Sequence, residues 1–206
     1  MSRLPDPPLL VISDRSQASR PLLDIATTAF AGGCRWFSLR EKDLPPAERR
    51  ALLAELVSLG GEFGATVTAH DDLDAVIATG AGGVHLPGGS NPAAARARLP
   101  HGLIGVSAHS AAEAAAQIAK RADYVTISPI FLTDSKPGYG PALGLAGLTA
   151  TTARAGGPVV ALAGINPGNA RSCLDAGAAG IAVMGEVMRA ADPEAVVRAL
   201  VQAISH

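Results

Sequence analysis

Residues 103–128 read LIGVSAHSAAEAAAQIAKRADYVTIS, and the fold is decided in that stretch. Leu103–Ser107 is a short apolar run of β-prone residues, Ala111–Lys120 an alanine-rich helical stretch, and Asp123–Ser128 a second β-prone run. The same alternation extends in both directions. It predicts further strands at Leu9–Ser13, Arg35–Arg40, Ala65–His70, Gly83–Leu86, Pro158–Leu162 and Gly180–Met184. Helices are predicted at Arg20–Ala31, Pro45–Leu59, Asp71–Ala78, Pro92–Leu99, Gly144–Arg154, Pro167–Ala176 and Pro193–Ile204. Asn91-Pro92, Asn166-Pro167 and Asp192-Pro193 each set a capping side chain before a proline suited to the first helical position. Ala31-Gly32-Gly33, Leu59-Gly60-Gly61 and Ala176-Gly177 offer glycines to stop a helix in the left-handed region.

Eight strand–helix units of about 26 residues each fill the 206-residue chain without a linker. An open doubly wound sheet permits the same alternation. Eight is the number at which a parallel sheet closes, and no GxGxxG follows the first strand, so the expectation is one (β/α)8 TIM barrel domain over residues 1–206. Composition agrees. Aromatic residues are 3% of the chain while 48% is hydrophobic, the small aliphatic core of strands covered on both faces.

Seventeen Lys and Arg stand against eighteen Asp and Glu, for a net charge of -1. Nucleic acid and anionic membranes select basic surfaces, so neither is expected as a partner. Cys34 and Cys173 are far apart, with no ligand spacing around them, which disfavours a disulfide framework and a structural zinc. The N-terminus carries no signal-type apolar segment, and no run approaches the ~20 residues of a membrane span. A cytoplasmic protein is expected. Barrels of this size often pair, and Trp36, Phe37 and the apolar helix faces are the candidates for a homo-oligomer contact.

Barrel enzymes carry their chemistry at the C-terminal ends of the strands. Polar and titratable residues collect at those ends here: Arg40-Glu41-Lys42-Asp43, His70-Asp71-Asp72, His85, Ser107-Ala108-His109-Ser110, and Ser128 through Gly138. Arg40 and Lys42, two apart, suit an oxyanion clamp; equally they suit a solvated charge cluster with Glu41 and Asp43. Thr133, Ser135 and Lys136 in a Gly/Pro-rich loop have the chemistry of an anion lid. Gly164 and Gly185 follow strands 7 and 8, where barrels bind phosphate through backbone N–H groups. His109, at a strand end between serines, is the candidate for proton transfer, whereas His85 reads as a hydrogen-bonded core or rim residue. Asp71, Asp72 and Asp74 are expected in the first turn of one helix, where carboxylates stabilise the N-terminus; no second acidic cluster faces them to complete a magnesium site.

Taken in order, Leu39-Arg40-Glu41-Lys42, Gly83-Val84-His85-Leu86, Ile104–His109, Ala122–Val125, Ser128–Phe131 with Thr133–Lys136, and Ala178–Met184 resemble the superfamily of thiamine phosphate synthase and thiazole tautomerase. The resemblance covers nearly the whole chain and implies a small (β/α)8 barrel acting on a phosphorylated thiazole. It matches Arg40, Lys42 and Lys136 to diphosphate-binding positions and Asp71 to one magnesium ligand of the synthase. Ser38, His70 and Ser90 depart from the synthase pattern, where glutamine, asparagine and a second aspartate are usual. Ser107, His109, the Thr133–Lys136 loop and Gly164 keep the thiazole side, with Gly185 replacing a usual serine.

That asymmetry leads to the expectation of a thiazole tautomerase, an isomerase needing no metal. His109 would move the proton, and Arg40, Lys42, His70, Ser107, Thr133, Ser135, Lys136, Gly164 and Gly185 would bind substrate. The alternative is a thiamine phosphate synthase, a transferase using Mg2+ at Asp71. A catalytically silent thiazole-phosphate-binding paralogue is the third reading.

Overall fold

The computed structural model describes residues 3–133 and 141–205. Eight strands pair in parallel, in sequence order, and the last closes on the first. They are β1 Leu9–Ile12, β2 Trp36–Leu39, β3 Thr66–His70, β4 Gly83–Leu86, β5 Leu103–Ala108, β6 Tyr124–Ile127, β7 Val159–Leu162 and β8 Gly180–Val183. The helices are α1 Leu22–Ala31, α2 Pro46–Glu62, α3 Leu73–Thr79, α4 Pro92–Arg98, α5 Ala111–Ala119, α6 Gly144–Ala155, α7 Ala170–Asp175, α8 Gly185–Met188 and α9 Pro193–Ile204. The expected (β/α)8 barrel is the fold, and the open sheet is excluded by the β1–β8 pairing.

Side chains alternate across each strand, so the register sorts them into two cores. Val11, Phe37, Val67, Val84, Ile104, Val125, Val159 and Ile181 face outward and are buried under the helices. Leu10, Ile12, Trp36, Leu103, Tyr124, Val160 and Ala182 fill the barrel itself. Trp36 and Phe37 are both fully buried, so neither serves the oligomer contact expected of them. Inside the barrel the Trp36 and Tyr124 rings meet edge to face, with centroids 4.8 Å apart at 81°. Tyr124 fits because its neighbour in register is Gly105; a Cβ there would lie 2.0 Å from the phenol ring.

Three expectations about helices are corrected. Gly60-Gly61 does not end α2, which continues to Glu62; Gly60 sits against β3, where a Cβ would fall 2.7 Å from Val67, and Gly64, at φ 64°, provides the left-handed turn instead. Pro167 does not start α7: Asn166 accepts from the N–H of Gly168 in a turn, and Asn169 is the cap position. Asp71 is outside α3, at φ 51°, and Asp72 is the cap, accepting from Ala75 N–H at 2.9 Å. Short α8 and a 3-10 turn at Arg15–Gln17 were not expected from the sequence; segments of three or four residues are too short to show a period. Among the described residues no helix is long and apolar enough to cross a membrane.

Gly105→Ala should test the packing of the barrel interior. The added methyl meets a fully buried aromatic ring, so a loss of roughly 1–3 kcal/mol is expected in urea unfolding, the range for overpacking. Combining it with Tyr124→Ala, which empties the space the methyl needs, should make the glycine substitution nearly neutral in that background.

Candidate active site

A cavity of about 290 Å³ opens at the C-terminal ends of the strands. Arg40, Lys42, His70, Asp71, Ser107, His109, Thr133, Gly164 and Gly185 all line it. Of the residues singled out from sequence, Ser135 and Lys136 are outside the described residues, and Ser90 lies off the cavity wall. Met184, Glu186 and Arg189 also line it, and sequence reading missed them because they belong to the β8–α8 segment.

The charged run after β2 separates by alternation. Glu41 points away from the cavity and is buried, with Oε2 accepting from the backbone N–H of Arg15 at 3.1 Å and 3.3 Å from its guanidinium. The same guanidinium holds Asp43 at 2.7 Å. Arg15 therefore occupies both carboxylates of the run, and no described carboxylate forms a salt bridge with Arg40 or Lys42. The two cations face the cavity, in the position an anion clamp requires.

Below the clamp the barrel floor is polar. His85 is buried, with Nδ1 3.0 Å from the Tyr124 hydroxyl and Nε2 3.0 Å from Ser107 Oγ and 3.3 Å from Thr126 Oγ1. His70 Nδ1 lies 3.0 Å from Ser38 Oγ, and the His70 and His85 imidazoles meet at a 44° tilt with centroids 4.6 Å apart. Burial pushes the His85 pKa down to about 3, helped by the charge of Arg40. Burial likewise lowers His70 well below 6.5, with His85, Arg40 and Lys42 adding repulsion. Both rings are neutral at physiological pH, and burial keeps the Tyr124 phenol protonated.

His109 is on the β5–α5 connection. Ser110 caps α5 by accepting from Glu113 N–H, and the Glu113 carboxylate accepts from His109 N–H at 2.9 Å, which fixes the backbone of the histidine. Nδ1 is 3.0 Å from the Ser128 carbonyl. A carbonyl only accepts, so Nδ1 carries a proton. Asp71 stands at the rim in the left-handed region that aspartate tolerates, its N–H bonded to the His85 carbonyl at 2.9 Å. Gly164, at φ 66°, lies where a Cβ would fall 2.6 Å from the Leu132 carbonyl, so only glycine lets the β6 and β7 loops approach this closely.

Phosphate-type donors at the mouth of a closed parallel barrel, with paired cations over a neutral polar floor, define an enzyme site for a phosphorylated small molecule. The chain belongs to the thiamine monophosphate synthase family, which it matches over residues 9–187. It is 44% identical over 195 residues to a putative thiamine-phosphate synthase of Geobacter sulfurreducens, covering 93% of this chain and 92% of that protein. It is 37% identical over 198 residues to the thiamine-phosphate synthase of Moorella thermoacetica, covering 95% and 94%. The thiamine phosphate pyrophosphorylase structure from Pyrococcus furiosus superposes with a TM-score of 0.86 at 33% identity, covering 96% of this chain and 95% of that one. The two sequence relatives carry synthase names and the structure a thiamine phosphate pyrophosphorylase name, which overturns the expectation of a thiazole tautomerase, an isomerase; the transferase alternative is the one the similarity supports. The departures at Ser38, His70 and Ser90 had pointed the other way, yet Ser38, buried behind the wall, is hydrogen-bonded to His70, which lines the cavity.

Asp72 anchors this rim through the α3 cap and through Arg49, whose Nε and Nη2 reach Oδ2 at 3.0 and 2.7 Å. Burial works to raise its pKa, but the bonds from Ala75 N–H and Arg49 outweigh it and the pKa falls below the ordinary 3.8. A depressed folded-state pKa contributes stability that is present above the unfolded value and lost as pH falls through the folded one. Asp72→Ala should therefore cost about 1–2 kcal/mol at pH 7, and the gap to wild type should close below about pH 4, as read by urea titrations at a series of pH values.

Proposed function

We propose that this chain is a thiamine-phosphate synthase, joining a hydroxymethylpyrimidine diphosphate to a thiazole phosphate with release of pyrophosphate. The observation that carries the reading is the separation of charges around Arg15, which leaves Arg40 and Lys42 turned to the cavity without a salt bridge to any described carboxylate. The reaction is a displacement at carbon. The methylene C–O bond breaks with its electron pair leaving on pyrophosphate, and the thiazole ring nitrogen uses its lone pair to form the new C–N bond. No proton has to move. The protein's task is to stabilise the departing tetra-anionic group and align the two rings, which cations and fixed dipoles do.

Arg40 and Lys42 are assigned to the diphosphate, and Lys136 is assigned with them from the resemblance alone. Gly164, Gly185, Ser107 and Thr133 are assigned to the thiazole phosphate, with His109 as an orienting residue rather than a base. Among the described residues no group of three His, Cys, Asp or Glu side chains is arranged to hold a metal. One rim carboxylate, Asp71, would contribute a ligand to a magnesium ion bound with the diphosphate. When bound, that ion neutralises charge on the leaving group.

Two measurements test the reading. Incubation with the two precursors and magnesium should yield thiamine phosphate and pyrophosphate in equal amounts. Isothermal titration should show pyrophosphate binding that needs magnesium, weakened roughly ten- to hundredfold by Arg40→Ala, the effect of losing a charge-assisted hydrogen bond. Absence of coupling, with pyrophosphate binding indifferent to magnesium and to Asp71→Asn, would sink it.

A further inference from the structure

On β2, Ser38 stands two residues before Arg40, so both side chains point into the barrel, Arg40 at the rim and Ser38 a layer below. Ser38 is fully buried, and the hydroxyl has one hydrogen-bond partner among the described residues, His70 Nδ1 at 3.0 Å. A buried hydroxyl hydrogen without an acceptor is costly. Were His70 to donate an Nδ1–H to Ser38, that hydrogen would be stranded. The satisfied arrangement is the reverse: Ser38 donates, Nδ1 accepts, and the ring carries its proton on Nε2. Nε2 has no partner among the described residues, and His70 lines the cavity. Contact with the His85 ring, centroids 4.6 Å apart and planes tilted by 44°, restricts the imidazole.

We propose that Ser38 and His70 act as one unit, a fixed N–H donor on the cavity wall that selects a heteroaromatic ring presenting an unprotonated ring nitrogen. His70 is the specificity-determining residue and Ser38 its positioning residue. A substrate whose anionic end is held at the rim by Arg40 and Lys42 extends its ring toward this donor. Resting on the synthase reading, the ring is the pyrimidine, whose nitrogens are acceptors and whose leaving group is the anion at the clamp. A carbocyclic ring of the same shape offers His70 Nε2–H no acceptor and leaves it unpaired, the kind of mismatch by which polar sites reject isosteres.

The first test needs no substrate. Nitrogen-15 NMR of the imidazoles should show His70 as the Nε2–H tautomer in the wild type and as a mixture of tautomers in Ser38→Ala. An Nδ1–H ring in the wild type, or a tautomer indifferent to Ser38→Ala, overturns the proposal whatever the protein catalyses. The second test uses the coupling reaction. Ser38→Ala should raise KM for the pyrimidine diphosphate by about tenfold, the worth of one hydrogen bond, while KM for the thiazole phosphate stays near its wild-type value. His70→Leu should raise it further, and His70→Gln, whose amide N–H reaches a similar position, should restore part of the loss. A phenyl analogue of the pyrimidine substrate should bind His70→Leu more tightly than wild type, because only the wild-type site strands an N–H against it; equal binding to the two, or discrimination lost equally toward both substrates, overturns the assignment. Failure of coupling in the wild type with the NMR result intact would instead fault the synthase reading.

Discussion

Everything in this molecule depends on how a narrow eight-stranded barrel is filled. Each strand turns alternate side chains inward, and those side chains have to pack at crystal-like density without clash. Here the lower part is filled by two aromatic rings, Trp36 and Tyr124, and the second is admitted by the missing Cβ of Gly105. The Tyr124 hydroxyl then needs a partner away from water, and His85 supplies it. From there the polar layer continues through Ser107 and Thr126 to the cavity. An apolar packing solution at the bottom of the barrel thus dictates a hydrogen-bonded layer above it, and that layer is the floor of the site.

Electrostatic sorting works on the same alternation. Four charged residues in a row after β2 would neutralise one another as a flexible run. On a strand end they split to opposite sides, and Arg15, from the β1 side, collects the acidic pair. What reaches the cavity is positive over a floor of neutral imidazoles, whose protons are kept off by burial and by the clamp itself. Cations over neutral donors suit a ligand that is anionic at one end and an uncharged acceptor at the other.

Most of the architecture was legible because it rests on local signals. The apolar runs marked the eight strands to within a residue or two, and Asn91 and Asp192 cap helices through their own side chains. What escaped was set by neighbours distant in the chain. Gly60 reads as a helix stop until Val67 is seen against it, and Trp36 reads as surface until the register turns it inward. Ser38 and His70, 32 positions apart, look like losses one at a time and like a unit once they are 3.0 Å apart. Arg15 carried no motif at all, although its contacts decide what Arg40 and Lys42 can do. The weighing of isolated departures from a family pattern went wrong because compensation between strands is invisible in a linear reading.

The bond between His109 Nδ1 and the Ser128 carbonyl has a different kind of consequence. Its acceptor is main chain, so no codon change at position 128 that preserves the backbone path can delete it. The orientation of the imidazole is shielded from point mutation on the partner side, whereas Ser38 can be lost by a single nucleotide step. Two histidines of one cavity therefore differ in mutational robustness: one inherits its state from the fold, the other from an individual gene position that remains open to drift.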